Sequence, residues 1–162
     1  MPAPTIKWFE HANASDSLGT EITTLDIGTV DAGSYSSAKC IHAHFSASSP
    51  TVVSSMRFWN YDQSAASALT SSTITLRDGT TPWSMVATHQ SALSAKNFGV
   101  ASANYGVKLP YFPDTSLGGG LILSSFTTPG NSEYIWIGVK PNISAQSGSY
   151  TSWGVQVGYD YT

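Results

Sequence analysis

An antiparallel β-sandwich, jelly-roll or immunoglobulin-like and with about eight or nine strands, is the fold that this 162-residue chain predicts. Three observations lead there. The chain ends in a segment where Trp153, Val155, Val157 and Tyr159 alternate with Ser152, Gly154, Gln156 and Gly158. That period of two sends the bulky side chains to one sheet face. Ser and Thr supply 43 residues while charged residues make up only 10%, a balance suited to strands and turns rather than to solvated helices. Short apolar runs are also separated by turn signals such as Asp31-Ala32-Gly33-Ser34, Asp78-Gly79 and Pro129-Gly130-Asn131, with no break that would divide the chain into two domains.

The elements follow in order. Ile6, Trp8 and Phe9 open a short strand, and His11 to Thr20 is a polar loop. Ile22 to Ile27 is a second strand, closed by Gly28. Between Ser37 and Phe45, Ala38, Cys40, His42 and His44 share one face, with Ile41, Ala43 and Phe45 on the other. Val52 to Tyr61 is a strand carrying the aromatic cluster Phe58-Trp59-Asn60-Tyr61, and Thr73 to Leu76 is a further short strand. Met85 to Asn97 permits a short helix, although its apolar spacing fits one poorly. Asn104 to Pro113 is an aromatic stretch, and Gly118-Gly119-Gly120 forms a hinge or bulge. Leu121–Phe126 and Tyr134–Lys140 read as an antiparallel pair joined around Pro129 to Asn131.

Composition excludes several function classes. Net charge is −3, and the seven cations Lys7, Lys39, Arg57, Arg77, Lys96, Lys108 and Lys140 are scattered singly, so there is no footprint for nucleic acid. Cys40 is the only cysteine, which leaves packing, not disulfides, to hold the fold. No apolar run approaches the ~20 residues of a membrane span. The start, Met1-Pro2-Ala3-Pro4-Thr5-Ile6-Lys7-Trp8, lacks the regions of a secretory signal, so synthesis in a cytoplasm without general secretory export is expected.

Catalytic constellations are weak. His42 and His44 on one strand face could offer two neutral nitrogens to a metal, with His11 or His89 completing the set through the fold; no acid follows at short range before Asp62, and a structural or surface role is the expectation for the pair. Serine is abundant, but no Gly-x-Ser-x-Gly elbow marks a nucleophile. Cys40 has only Lys39 beside it and reads as a small packed side chain. Of the acids, Asp31, Asp78 and Asp114 sit in turns, and Glu10, Glu21 and Glu133 are the only glutamates, so no carboxylate pair for glycoside hydrolysis stands out. The three glycines at 118 to 120 lack the residues of a phosphate loop. No catalytic, metal or cofactor-binding residue is therefore assigned, and no enzyme activity is expected.

Aromatics carry the strongest case for binding. Trp59, Trp136 and Trp153 lie on strands and are expected in the core. Trp83 follows Thr81-Pro82, and Tyr105, Tyr111 and Phe112 flank prolines or lie near them. Exposed on loops, such rings stack on sugars or bury into a partner subunit. Residues 1–9 form an N-terminal arm stiffened by prolines, with Trp8 and Phe9 as its anchor.

Leu25-Asp26-Ile27-Gly28-Thr29-Val30-Asp31-Ala32-Gly33-Ser34, followed by the strand from Ser37 to Phe45, resembles the opening of immunoglobulin-like modules in phage and bacterial surface proteins. Ser55-Met56-Arg57-Phe58-Trp59 resembles a following strand of such modules. Pro141 to Tyr150, leading into the alternating terminal segment, resembles their last one. With the high Ser/Thr content and low charge, the chain as a whole is most similar to tailed-phage virion proteins, capsid decoration (cement) proteins first and tail or baseplate components second. That resemblance implies a virion location and no catalytic residues. It also implies a homo-oligomer, a trimer being the first expectation, that clamps the major capsid protein. The alternative is a carbohydrate-binding or receptor-binding module using Trp83, Tyr105 and Tyr111. A metal-dependent β-barrel enzyme centred on His42 and His44 is the third reading.

Overall fold

The computed structural model describes residues 2–62, 74–77, 83–94, 98, 107–108, 121–141, 143 and 153–162. These form an all-β sandwich, as alternation and composition predict. Among the described residues there are thirteen strands. In chain order they are β1 (Thr5–His11), β2 (Thr20–Ile22), β3 (Thr24–Asp26), β4 (Lys39–Ser46), β5 (Val52–Asp62), β6 (Ile74–Arg77), β7 (Trp83–Gln90), β8 (Val107–Lys108), β9 (Leu121–Ile122), β10 (Phe126–Thr127), β11 (Gly130–Asn131), β12 (Tyr134–Pro141) and β13 (Trp153–Tyr161). Six of these span only two or three residues, too short to leave a pattern in sequence.

The front sheet has the order β2-β1-β4-β12-β7-β8, with β11 also paired to β4. The back sheet runs β10-β5-β13-β6-β3, with β9 also paired to β5. Every pairing is antiparallel except β3 with β6. The inward side chains of the two sheets meet in one core. Trp8, Ile41, Ala43, Phe45, Met85, Ala87, Ile135, Ile137 and Val139 come from the front, and Leu25, Val53, Met56, Phe58, Val155 and Val157 from the back. Trp8 meets Phe58 edge-on at 5.6 Å, and Phe45 meets Phe126 and Tyr159 at 5.2 and 5.1 Å. Such cross-sheet aromatic pairs add about 0.5–1.5 kcal/mol each beyond the area they bury.

The buried hydroxyls have a defined use. The Ser132 amide donates to the Ala43 carbonyl while the Ala43 amide donates to Ser132 Oγ, at 2.8 and 2.9 Å. Thr128 makes the same two-way exchange with Thr51, and Ser36 with Val139. Each side-chain oxygen takes the place of a backbone acceptor, so the Ala43, Thr51 and Val139 amides are satisfied where no strand partner continues the ladder.

Four expectations need correction. The N-terminal arm is no arm from Thr5 onward, because β1 lies inside the front sheet between β2 and β4. The single strand Ile22–Ile27 is two strands in opposite sheets. Ile22 packs on the core from the front and Leu25 from the back, an odd spacing that one strand cannot supply. Met85 to Gln90 belongs to strand β7, not to a helix. Its pattern is obscure because Met85 and Ala87 face the core while Val86 is buried on the other side. Finally, Leu121–Phe126 does not pair with Tyr134–Lys140: β9 and β10 join β5 in the back sheet, and β12 lies between β4 and β7 in the front.

Candidate functional site

The outer face of the front sheet gathers most of the chemistry-bearing side chains. Period-two alternation turns Phe9 and His11 outward from β1, and Cys40, His42 and His44 outward from β4. Register then aligns them. Phe9 lies between Glu21 on β2 and His42 on β4. The pairing of Ile135 with Ile41 brings Tyr134 beside His42, and Tyr134 is itself opposite Gln90. One row of outward residues therefore crosses five strands: Glu21, Phe9, His42, Tyr134 and Gln90. The adjacent row holds His11, Cys40 and Trp136.

His11 and His42 are both buried, 3% and 4% exposed, and they face each other. His11 Nε2 is 2.6 Å from His42 Nδ1. His11 Nδ1 is 2.5 Å from the Asp16 backbone oxygen. Because a carbonyl only accepts, His11 Nδ1 carries a hydrogen. In the neutral pair, His11 Nε2 then accepts from His42 Nδ1–H. Phe9 stacks on the His42 ring at 5.2 Å and 9°. Tyr134 stands edge-on to His11 and His42 at 5.1 and 5.8 Å. Burial first, then the positive charge that His11 and His44 can carry, pushes His42 down to about 4.

The loop from Ala12 to Gly19 closes over this pair. Asp16 accepts from the Ala12 amide through Oδ2 and from the Gly19 amide through Oδ1, both at 3.0 Å. Those two backbone donors lower the Asp16 pKa, with His11 adding a smaller effect. Gly19 has φ +71°, and a Cβ there would lie 3.0 Å from the His11 ring. Only glycine both adopts that conformation readily and lets the loop lie so close.

His42 and His44 share a face, as their spacing requires, but their nitrogens do not converge. His44 Nδ1 turns to Asn131 Oδ1 at 2.6 Å while His42 turns to His11. Among the described residues, no group of three or more His, Cys, Asp or Glu is arranged to hold a metal ion. Cys40 is buried, and that burial, with the negative charges of Asp16 and Glu10, pushes its thiol up to about 12. It remains a thiol at neutral pH, not a nucleophile. His89 Nδ1 lies 3.0 Å from Glu133 Oε2, an oxygen that also accepts the Ser124 amide. This second histidine contact ties the β12 end to the segment before β10.

The residues expected to bind partners are dispersed. Trp8 faces the core and is 4% exposed, so it is a packing residue and not an anchor for a neighbour. Phe9 points the other way, half-buried against His42. Trp83 begins β7 opposite Pro141, but its side chain lies outside the described residues, as do Tyr105, Tyr111 and Phe112 entirely. Trp59 and Trp136 are buried as expected, though not between the sheets. Trp136 joins Ala38, Cys40 and Val86 in a second apolar cluster on the outer front face, covered by Tyr35, Leu93 and Phe98. Asp16 and Tyr134 were not legible as partners of a histidine pair. The local signal was an Asp three residues before a Gly, which marks a turn but not what the turn covers. Compared with protein-family models, with curated proteins and with solved structures, the chain matches none.

Proposed function

We propose that this protein is a non-enzymatic structural component of a virion, a capsid decoration or cement protein that stabilises a shell through protein–protein contact. One observation carries the reading. Of the large apolar side chains among the described residues, Leu18 and Ile143 are the most exposed, at 83% and 85%, and the topology puts them at the same end of the front sheet. β1 ends at His11 where β4 begins, and β12 continues past that point to Pro141. Leu18 and Ile143 therefore lie at that one end of the sheet, with Gly33 close to Ile143.

Isolated surface hydrophobes are ordinary, but two nearly naked ones at one end suit insertion into a neighbour. The hydroxyl-rich, weakly charged surface around them loses little on desolvation. The resemblance of the Leu25–Ser34 stretch and its following strand to immunoglobulin-like modules of phage and bacterial surface proteins supports the same reading. A stable shell contact of this kind buries about 2,000 Å² or more.

The test is co-sedimentation with shells assembled from the major capsid protein of the same genome, alongside light scattering of the free protein. Wild-type protein should sediment with shells, and Leu18→Ser/Ile143→Ser should lose that binding at unchanged β-sheet circular dichroism. A wild-type protein that stays monomeric and in the supernatant overturns the proposal.

A further inference from the structure

We propose that His11 and His42 form a two-proton latch that fixes the Ala12–Gly19 loop on the front sheet and releases it in acid. The geometry sets the stoichiometry. In the neutral pair, His42 Nδ1–H donates to His11 Nε2, and His11 Nδ1–H donates to the Asp16 carbonyl. One added proton is accommodated: His11 then donates from both nitrogens, and His42 accepts at Nδ1 while its own hydrogen moves to Nε2. Neither hydrogen bond is lost. A second proton puts N–H against N–H across 2.6 Å, and two cations cannot share that contact.

The part that yields is the loop. His42 is held on β4, inside the sheet, between Phe9 and Tyr134. His11 is the last residue of β1 and is bonded directly to the loop, so separating the rings carries Asp16 with it. Among the described residues, few charged and titratable groups surround the pair. The loop supplies the Asp16 carboxylate, β1 supplies Glu10, which is 3.3 Å from Lys39 of β4, and β4 adds Cys40 and His44. From β12 comes the Tyr134 ring, and β2 places Glu21 across from Phe9. Asp16 is the acid nearest His11 by bonding, and its carboxylate is already committed to two amides.

Opening requires one proton that the closed pair does not accept. It should therefore grow about tenfold per pH unit as pH falls from the ordinary histidine range toward about 4. Amide exchange at Ala12 and Gly19, corrected for the intrinsic pH effect, reads that equilibrium in the isolated protein. It does not depend on whether Leu18 contacts a neighbour. Asp16→Asn retains the backbone carbonyl and one side-chain acceptor, so the amide that stays bonded should keep the pH dependence, while His42→Gln should flatten it. Wild-type loop exchange that is independent of pH in this window, or dependence abolished by Asp16→Asn, overturns the latch. Because the wild type and Asp16→Asn suffice, the outcome stands even if His42→Gln fails to fold.

Discussion

A Cβ placed on Gly158 of β13 would lie 2.8 Å from the ring of Trp59 on β5. The two residues are on adjacent strands, with Gly158 paired to Arg57 and Trp59 to Gln156. The indole crosses the glycine on the outer face of the back sheet, and a side chain at 158 would displace it. Gly158→Ala is expected to destabilise the fold by about 1–3 kcal/mol through overpacking. Urea unfolding should show this as a lower midpoint, and Trp59→Leu should recover most of the loss. Additive effects of the two substitutions would refute the contact as its source.

Trp8 and Phe9 are neighbours in sequence with opposite fates. Trp8→Ala opens a cavity against Phe58 in the core and is expected to cost about 3–5 kcal/mol. Phe9→Ala removes a half-buried ring from His42 and should cost less than half as much. Thermal or urea unfolding of the two variants decides it, and equal losses would contradict the opposed orientation.

Stability should fall in mild acid, with His42 as a measurable contributor. Unfolded, His42 takes up a proton near pH 6.5; folded, it does so only near 4. Between those values the unfolded chain holds more protons, so stability rises with pH and declines as pH falls. The expected share is on the order of 2–3 kcal/mol between pH 7 and 4. It is read as the wild-type dependence minus that of His42→Gln. A difference that does not change with pH would be incompatible with this shift.

Ser55 has φ +52° and lies where two residues of β5, Ser55 and Met56, oppose Tyr159 alone. This is a β-bulge with a non-glycine residue in the left-handed region. The conformation costs roughly 1–2 kcal/mol for an L side chain, partly offset by the greater freedom of glycine in the unfolded chain. Ser55→Gly should therefore stabilise by about 0.5–1 kcal/mol, seen as a higher unfolding midpoint.

The sheet character of this chain was written in its local pattern. Ile41, Ala43 and Phe45 against Cys40, His42 and His44, and Val155 and Val157 against Gly154 and Gln156, fixed which side of each strand is buried without reference to any neighbour, because side chains alternate with a period of two. What alternation cannot carry is a change of sheet or of phase. The bulge at Ser55 returns Val53, Met56 and Phe58 to one face through an extra residue, and the step from Ile22 to Leu25 moves the chain between sheets. In both places burial was set by residues distant in sequence. The histidine cluster has the same origin. His11, His42 and Tyr134 are separated by 31 and 92 positions, and only the register of β1, β4 and β12 brings them together. The sequence determined that His11 and His42 face outward from their strands; the tertiary pairing decided that they are buried together under one loop and share their protons.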